Sequence, residues 1–507
     1  MKNILVAVFL VIVCIFFYAG MTAASTLLYG SLHQFNGTLD SLANIEEASI
    51  RDSVINIFWN ELKNDQKIPF VIDDSVAFLY KGSANSVSWA GDFSGWNPSV
   101  TAYKGKKVGL TNIWRVVASF PINARLDYKI VVNNNWILDP ANPHQQWSGF
   151  GPNSELRMPE WIIPIETIRR PDVPRGSFSS NINIYSVPLA YSTNYRVYTP
   201  AGYDSLQNLP VVYVTDGHEY ADDRLGSMLI VLDNLIADNL IEPVVVVFID
   251  PRQPSNLSNN RRAEQYTMNE NFASFVADEL VPQIDANYKT NPNPEKRAIL
   301  GTSLGGINSA YFGITRPDKF RCIAIQSPAF HHKPQIYSLY SDSTTLPLSV
   351  FMSTGVIHDT ESAARQMKQI MENKEYPLKY IEVNEGHSWG NWRALLDDML
   401  IYFFGETTSI KRSENVQPDK SFFQLNNYPN PFNPATSICF FLPESQRVTL
   451  EVFNVLGQKI ISMINNEYLS SGFHSVNFNG GGKSSGIYYY RLSNLNEFQS
   501  GKMLYVN

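Results

Sequence analysis

The residues best suited to carry chemistry stand in the run Gly-Thr-Ser-Leu-Gly-Gly from Gly301 to Gly306. An apolar run precedes it and a helix-like segment follows it, so Ser303 falls on a strand-to-helix turn where flanking glycines relieve crowding and strain. Such a turn exposes the serine at the carboxyl edge of a sheet and aims the N–H of Leu304 at a developing oxyanion. The spacing predicts that Ser303 is a nucleophile. The alternative is an ordinary glycine-rich turn.

A serine hydroxyl needs a base, and the base in turn needs an orienting acid. His387 follows the last apolar run of this region, where its loop would reach the same sheet edge as the serine. The acid should follow the preceding strand, where Asp359 is the first choice, Glu361 the reserve and a surface carboxylate the alternative. The loop after the run PVVYVTDG would supply the second oxyanion donor, the backbone of Gly217 or His218.

The elements that must position these residues are predicted for residues 179-406. Near-continuous apolar runs alternate there with helical segments, which is typical of a mainly parallel sheet covered on both faces. The predicted strands are PVVYVTDG, EPVVVVFID, RAILGTS, CIAIQSPAF, PLSVFMSTG and LKYIEVNEG. The fold class is therefore α/β, with an α/β-hydrolase domain at its centre.

The flanking regions have other patterns. Apolar positions from about Leu39 to Leu62 recur at helical spacing, and short alternating strands follow, namely SVAFLYKG, SVSWAGDF, IWRVVASF and LDYKIVV. The predicted organisation is a signal peptide at 1-24, a helical lead-in at 25-67, an immunoglobulin-like β-sandwich at 68-160, a Pro-rich connector at 161-178, the hydrolase domain at 179-406, a linker at 407-425 and a small C-terminal β-sandwich at 426-507.

Composition narrows the function classes. The net charge of -7 without a long basic run argues against a nucleic-acid partner. The N-terminal apolar run is short for a membrane span, which favours a cleaved signal peptide over a permanent anchor. After cleavage Cys322 and Cys439 remain in different domains, so both are expected to be free thiols.

The central region resembles a known family. The runs YVTDGHEY, FIDPR, NRRAEQY, GTSLGG, GVIHDTE and NEGHSWGNW are similar, in order and spacing, to the esterase family that contains enterochelin esterases and feruloyl esterases of carbohydrate esterase family 1. The resemblance implies that Ser303 and His387 are nucleophile and base. It also implies that Arg262, Glu264 and Trp389 contact substrate near the mouth of the site. The acid differs in spacing, because many members place it three residues after the strand-end glycine and Asp359 lies four after Gly355.

The front region resembles a family-48 carbohydrate-binding module. The pieces GDFSGWNP, LDYKIVVNNNWILDPANP and GPNSEL carry the resemblance. It implies a sugar-facing surface formed by Trp96, Lys129, Trp136, Phe150 and Asn153, since an indole can cover a pyranose ring while lysine and asparagine bond its hydroxyls. Core or interdomain packing of these aromatic residues is the alternative, with a front domain that frames the active-site cleft.

The last region closely resembles the C-terminal sorting domain of the type IX secretion system. The runs NYPNPFNPAT, VFNVLGQ and SGIYYYRL carry this resemblance over residues 426-507. It implies that the secretion machinery is a partner and that the domain takes no part in catalysis. A β-sandwich binding module is the alternative.

Together these patterns predict a secreted or cell-surface serine esterase that works through an acyl-enzyme, without a metal or another cofactor. The expected substrate is a plant cell-wall polysaccharide that carries feruloyl or acetyl groups. The alternatives are a siderophore esterase and a non-catalytic glycan-binding protein on a hydrolase scaffold.

Overall fold

The computed structural model describes residues 29–171, 173–405, 425–428, 430–442, 446–469, 472–494 and 498–506. They belong to two compact units, one ending at Glu406 and the other beginning at Thr407. The predicted signal peptide, and the predicted linker except its last residue, lie outside the described residues. Among the helices that are described, none has the length and apolar character needed to span a bilayer.

The lead-in consists of two helices, α1 at Leu32–Ala43 and α2 at Ala48–Asn64. Their buried side chains are Phe35, Leu39, Ala43, Ile55, Phe58, Trp59 and Leu62. Only part of the predicted apolar face is therefore inside, because Ile50 and Ile57 are 44% and 49% exposed. The inward face of α2 is formed by Ile55, Phe58 and Leu62.

Two antiparallel sheets follow and form the front sandwich, residues 70–157. Their strands are β1 Phe70–Ile72, β2 Ser75–Lys81, β3 Val87–Gly91, β4 Lys106–Lys107, β5 Ile113–Ser119, β6 Arg125–Val132, β7 Asn135–Ile137, β8 Gln145–Ser148 and β9 Gly151–Arg157. One sheet has the order β1-β2-β5-β4, and the other has the order β3-β6-β9-β8 with β7 beside β6. Alternate residues of both sheets, including Phe78, Trp89, Tyr128 and Leu156, share one core. The four strands predicted here correspond to β2, β3, β5 and β6.

A mixed nine-stranded sheet forms the centre of the larger unit. Its strands are β10 Ser177–Phe178, β11 Ile182–Ser186, β12 Tyr191–Thr199, β13 Val211–Val214, β14 Val245–Asp250, β17 Arg297–Thr302, β18 Cys322–Gln326, β19 Ser349–Gly355 and β20 Leu378–Val383, while β15 Arg252–Gln253 and β16 Asn256–Asn260 make a separate hairpin. The order is β10-β12-β14-β13-β17-β18-β19-β20, with β11 beside β12. The six strands from β14 to β20 in this order are parallel. They are the six apolar runs that predicted the sheet.

Helices cover both faces of this sheet. They are α3 Gly217–Tyr220, α4 Met228–Ala237, α5 Arg262–Tyr266, α6 Glu270–Ser274, α7 Val281–Asn287, α8 Leu304–Thr315, α9 Gln335–Asp342, α10 Glu361–Asn373, α11 Trp389–Arg393 and α12 Leu396–Phe404. Val211 and Tyr213 of β13 pack into one core, whereas Val212 and Val214 pack into the other. A strand buried on both sides needs apolar residues at every position, which explains the continuous apolar runs.

The connector at 161-178 lies along helix α4. The side-chain amide of Asn234 donates hydrogen bonds to the carbonyl oxygens of Glu166 and Ile168 at 2.8 and 2.9 Å. Arg170 pairs with Asp238 at 2.8 Å. The connector therefore has fixed contacts with helix α4 and with Asp238, just beyond its end.

The named strands in the described part of the second unit pair antiparallel. They are β21 Leu425–Tyr428, β22 Ala435–Leu442, β23 Gln446–Asn454, β24 Lys459–Leu469, β25 Gly472–Asn479, β26 Gly486–Ser493 and β27 Phe498–Tyr505. They form sheets of order β21-β22-β25 and β24-β23-β26-β27. Its own core contains Ile438, Leu450, Tyr490 and Met503.

Candidate active site

Ser303 stands between β17, which ends at Thr302, and α8, which begins at Leu304. Its φ of 59° lies in a region that non-glycine residues rarely adopt, so the turn holds this side chain at a backbone cost of about 1–3 kcal/mol. The surrounding backbone fixes the turn: the Ser303 amide donates to Gln326 at 2.9 Å, and its carbonyl accepts from Ala329 at 3.0 Å.

Glycine is required on both sides of this serine. A Cβ at Gly301 would overlap the carbonyl oxygen of Gly305, and one at Gly305 would lie 2.7 Å from the hydroxyl of Thr215. The sharp turn thus depends on backbone-to-backbone packing that side chains would prevent.

His387 and Asp359 form a hydrogen-bonded pair. The Nδ1 atom of His387 lies 2.6 Å from Oδ1 of Asp359. The carboxylate is fully buried, whereas the imidazole side chain is 34% exposed. The other carboxylate oxygen accepts bonds from the Gly355 amide and the Ser327 hydroxyl, both at 2.6 Å. This carboxylate is therefore held in place to orient the imidazole.

Strand order brings the serine turn and this pair to one edge of the sheet. Ser303 follows β17, Asp359 follows β19 and His387 follows β20, and these parallel strands are neighbours through β18. The carboxyl ends of parallel strands point to the same edge. Glu361, the reserve acid, is the first residue of α10, and the hydrogen bonds of the described residues do not join it to His387.

The candidate oxyanion donors lie at two helix starts. Leu304 is the first residue of α8, and Gly217 and His218 are the first two of α3. N–H groups in a first helical turn have no acceptor within the helix. The hydroxyl and amide of Thr215 donate to the Leu300 carbonyl at 3.1 and 3.0 Å, which holds the α3 start beside β17. Burial lowers the pKa of the His218 side chain, which favours its neutral form.

Arg262 has a carboxylate partner that the sequence did not indicate. Its Nε lies 2.7 Å from Oδ2 of Asp216, and its Nη2 donates to the carbonyl of Thr302 at 3.1 Å. The guanidinium therefore braces the residue that precedes Ser303. Glu264 is exposed on α5 and does not join this pair.

The structure also places Trp389 differently from the prediction. Its side chain is 3% exposed and packs edge-on against Tyr220 and Trp392, with ring centroids 4.8 and 5.1 Å away. It lies in the core beneath the site because α11 turns its apolar face inward. Burial raises the pKa of Glu219, the residue before Tyr220, to about 7.

The five predicted glycan-facing residues differ in exposure. The rings of Trp96 and Trp136 are nearly parallel at 6.4 Å, and Trp136 is 45% exposed. Lys129 is half-buried, and Phe150 is fully exposed at the turn between β8 and β9. Asn153 is 6% exposed and donates to a buried carboxylate of β6, so its amide is used inside the sandwich.

Two residues near the pair were missed by the sequence analysis. The Ser327 hydroxyl donates to Asp359 and accepts from the indole N–H of Trp392 at 2.8 Å. The Trp392 ring packs edge-on against the His387 ring at 4.9 Å. A polar residue directly after a buried strand was the available signal for Ser327, which follows β18 as Ser303 follows β17.

Two family models match the chain. Residues 186–403 match the family described as "Putative esterase", and residues 426–507 match the secretion system C-terminal sorting domain. The second match indicates export and secretion at the outer membrane or cell surface.

Curated relatives with esterase names are similar to the chain. An endo-1,4-beta-xylanase/feruloyl esterase of Xylanibacter ruminicola is 24% identical over 57% of this chain and 39% of its own length. An iron(III) enterobactin esterase of Escherichia coli O6:H1 is 26% identical over 52% of this chain and 66% of its own length. The chain thus spans about two fifths and two thirds of these relatives.

A solved structure has a similar fold. The enterobactin esterase FES from Shigella flexneri aligns with a TM-score of 0.55 and 19% identity, covering 64% of this chain and 92% of that one. This alignment covers a larger share of the chain than residues 186–403, the segment that matches the esterase family model. Given the family match and the strand order, residues 186–403 form an α/β-hydrolase-like domain that matches the esterase family, and residues 426–507 match the C-terminal sorting domain of the type IX secretion system.

Proposed function

We propose that the protein is a serine carboxylic-ester hydrolase in which Ser303 is the nucleophile, His387 the general base and Asp359 the orienting acid. The observation that carries this proposal is the 2.6 Å bond between His387 Nδ1 and Asp359 Oδ1, at the sheet edge that also bears the strained turn of Ser303. A scaffold without chemistry has no need of such a turn.

In the proposed mechanism, His387 donates its Nδ1 proton to Asp359 in a hydrogen bond, which leaves Nε2 free to accept the hydroxyl proton of Ser303. The serine oxygen attacks the ester carbonyl, and the N–H of Leu304 with that of Gly217 or His218 stabilises the oxyanion. Collapse breaks the bond to the alkoxy oxygen, which takes the proton from His387. Water then attacks the acyl-serine by the same route and releases the acid.

For the substrate we propose a plant cell-wall polysaccharide esterified with feruloyl or acetyl groups. The relative named as a xylanase and feruloyl esterase supports this assignment. The sorting domain supports it as well, because a polymer that cannot enter the cell must meet its hydrolase outside. The exposed ring of Trp136 beside Trp96 adds an apolar surface that suits a sugar ring.

A siderophore ester is the second candidate. The similarity to enterobactin esterases extends over more of the chain than the esterase family match alone. Export by the proposed signal peptide at 1-24 and the sorting domain favours the polysaccharide ester, since the enzyme would then act outside the cell.

The testing experiment compares wild type with Ser303→Ala on feruloylated and acetylated xylan fragments, a catecholate ester and a chromogenic aryl ester. Wild type should hydrolyse the xylan esters best, and the variant should lose at least about a thousandfold in kcat on every ester while its circular dichroism stays unchanged. Full activity of Ser303→Ala would contradict the mechanism. Retention on insoluble xylan without ester turnover would instead support a glycan-binding protein.

A further inference from the structure

A buried guanidinium of the front sandwich contacts the loop that carries His387. Arg125, the first residue of β6, is completely buried. Its Nη1 donates to Oε2 of Glu385 at 3.0 Å and to Oγ of Ser388 at 3.2 Å. These two residues flank His387 in sequence. A single side chain of the sandwich therefore hydrogen-bonds the loop on both sides of the imidazole residue.

The backbones meet at the same place. The Arg125 amide donates to the carbonyl of Asn384 at 3.3 Å, and Arg125 forms a parallel β-bridge with Glu385. The side chain of Asn384 also donates to Asn123 at 2.7 Å. The segment before His387 is thus an added strand-like piece at the start of β6, fixed by main-chain as well as side-chain bonds.

Two glycines of the loop allow this close approach. A Cβ at Gly386 would overlap the carboxylate of Asp92, and one at Gly390 would overlap the guanidinium of Arg125. Asp92 is itself buried and accepts the indole N–H of Trp96 at 3.1 Å and the amide of Asp127 at 2.8 Å. The loop and the sandwich therefore fit together only because these two positions lack side chains.

Buried carboxylates of the sandwich also bind the Arg125 guanidinium on the side away from the loop. Arg125 bonds Asp127, and it bonds Glu155 through Nε at 2.5 Å. Glu155 is shared with Arg157 at 2.6 Å, and the outer oxygen of Glu385 accepts the indole N–H of Trp161 at 3.3 Å. A planar guanidinium held by several buried carboxylates has no room to change rotamer.

We propose that the front sandwich positions His387 for catalysis, with Arg125 and Glu385 as the positioning residues. The inference rests on the proposed function, because it assigns the sandwich a part in placing the base of that mechanism. Neither residue touches the reacting atoms. Their effect is on how often the imidazole stands in line with Ser303, which alters kcat more than substrate binding.

The experiment uses Glu385→Ala in the full chain, because removing Arg125 would leave several buried carboxylates without a counter-charge. The matched control is Asp139→Ala. Asp139 is a buried sandwich carboxylate that accepts hydrogen bonds from the Tyr128 hydroxyl at 2.8 Å and the Ala141 amide at 2.9 Å. No hydrogen bond or ion pair of the described residues joins it to Arg125 or to the His387 loop, so the control disturbs the sandwich at a comparable depth.

On a chromogenic aryl ester, Glu385→Ala should lower kcat about 30- to 100-fold with KM changed less than about threefold. Asp139→Ala, assayed well below its melting temperature, should keep kcat within about threefold. Glu385→Gln retains an acceptor for Arg125 and should recover most of the lost kcat. Equal losses in Glu385→Ala and Asp139→Ala, or wild-type kcat in Glu385→Ala, would overturn the proposal.

Hydrogen exchange separates this proposal from the proposed function. Amides of residues 384–392 should exchange faster in Glu385→Ala than in Asp139→Ala, while those of β17 stay protected. Equal exchange of this segment in the two variants would overturn the positioning role whatever the activity. An inactive wild type, or an active Ser303→Ala, would instead overturn the proposed ester hydrolase function. In that case the exchange result would still show whether Glu385 fixes the loop of His387.

Discussion

At the scale of single residues, the bond between Asp359 and His387 makes the sharpest prediction. Asp359→Asn removes the charge that stabilises the imidazolium and lets the ring adopt the wrong tautomer, so kcat should fall about 10³- to 10⁴-fold. Glu361→Gln is the control, since that carboxylate starts α10 and does not contact the imidazole. Steady-state kinetics on an aryl ester measure both. A larger loss in Glu361→Gln would reassign the acid.

Glu219 makes a prediction about pH. Burial raises its pKa to about 7 from 4.5, so the folded protein holds this proton more tightly than the unfolded chain. The contribution to stability is complete below pH 4.5 and is lost as pH rises through 7, by up to about 3 kcal/mol. Glu219→Gln cannot ionise and should lose less stability between pH 5 and pH 8 than wild type. Urea unfolding at pH 5 and pH 8 measures the free energy of unfolding of both proteins. An equal loss of stability in wild type and Glu219→Gln would refute the prediction.

The place of a candidate residue in the fold could be predicted from sequence where a short run encodes the geometry. Ser303 and His387 each follow an apolar run, and strand order alone brings such positions together. Arg125 could not be found in this way, because its loop partners Glu385 and Ser388 lie 260 and 263 residues away. Trp389 was misplaced because an aromatic residue in a loop motif looks the same whether it faces a ligand or the core.

At the scale of elements, the strands were more predictable than the helices. A strand buried on both faces, such as β13, has no choice but to be apolar throughout. Helix α2 buries only one face, and which face is buried depends on the sandwich that packs against it. Its inward residues Ile55, Phe58 and Leu62 share the front core with Phe70, whereas Ile57 faces outward.

The serine turn makes a prediction at this scale. Gly301→Ala places a Cβ against the Gly305 carbonyl, so β17 and α8 must move apart. We expect a loss of about 1–3 kcal/mol in stability and of most esterase activity. Gly37→Ala is the control, because nothing lies within 4 Å of its added Cβ and it stands in helix α1. That variant should be as stable as wild type or up to about 1 kcal/mol more stable. Similar melting temperatures for the two variants would argue against the packing at Gly301.

At the scale of the whole molecule, the two units have separate roles. The front sandwich and the hydrolase domain belong to one compact unit, joined at the loop of His387, and the sorting domain is a second unit with its own core. A domain that only frames the site could be removed with a change in substrate preference alone. Under the proposed positioning role of the sandwich, its removal should cost the esterase activity itself.

The sorting domain should be separable. Since it has its own core and supplies none of the residues proposed for catalysis, a chain that ends at Glu406 should keep kcat and KM within about twofold of the full chain and melt at the same temperature. Export should fail, because the shorter chain lacks the sorting domain. Activity assays on both purified proteins test the kinetic prediction, and fractionation of expressing cells tests the prediction on export. A loss of kcat in the shorter chain would show that the second unit contributes to activity. Arrival of the shorter chain at the cell surface would show that the second unit is not needed for secretion.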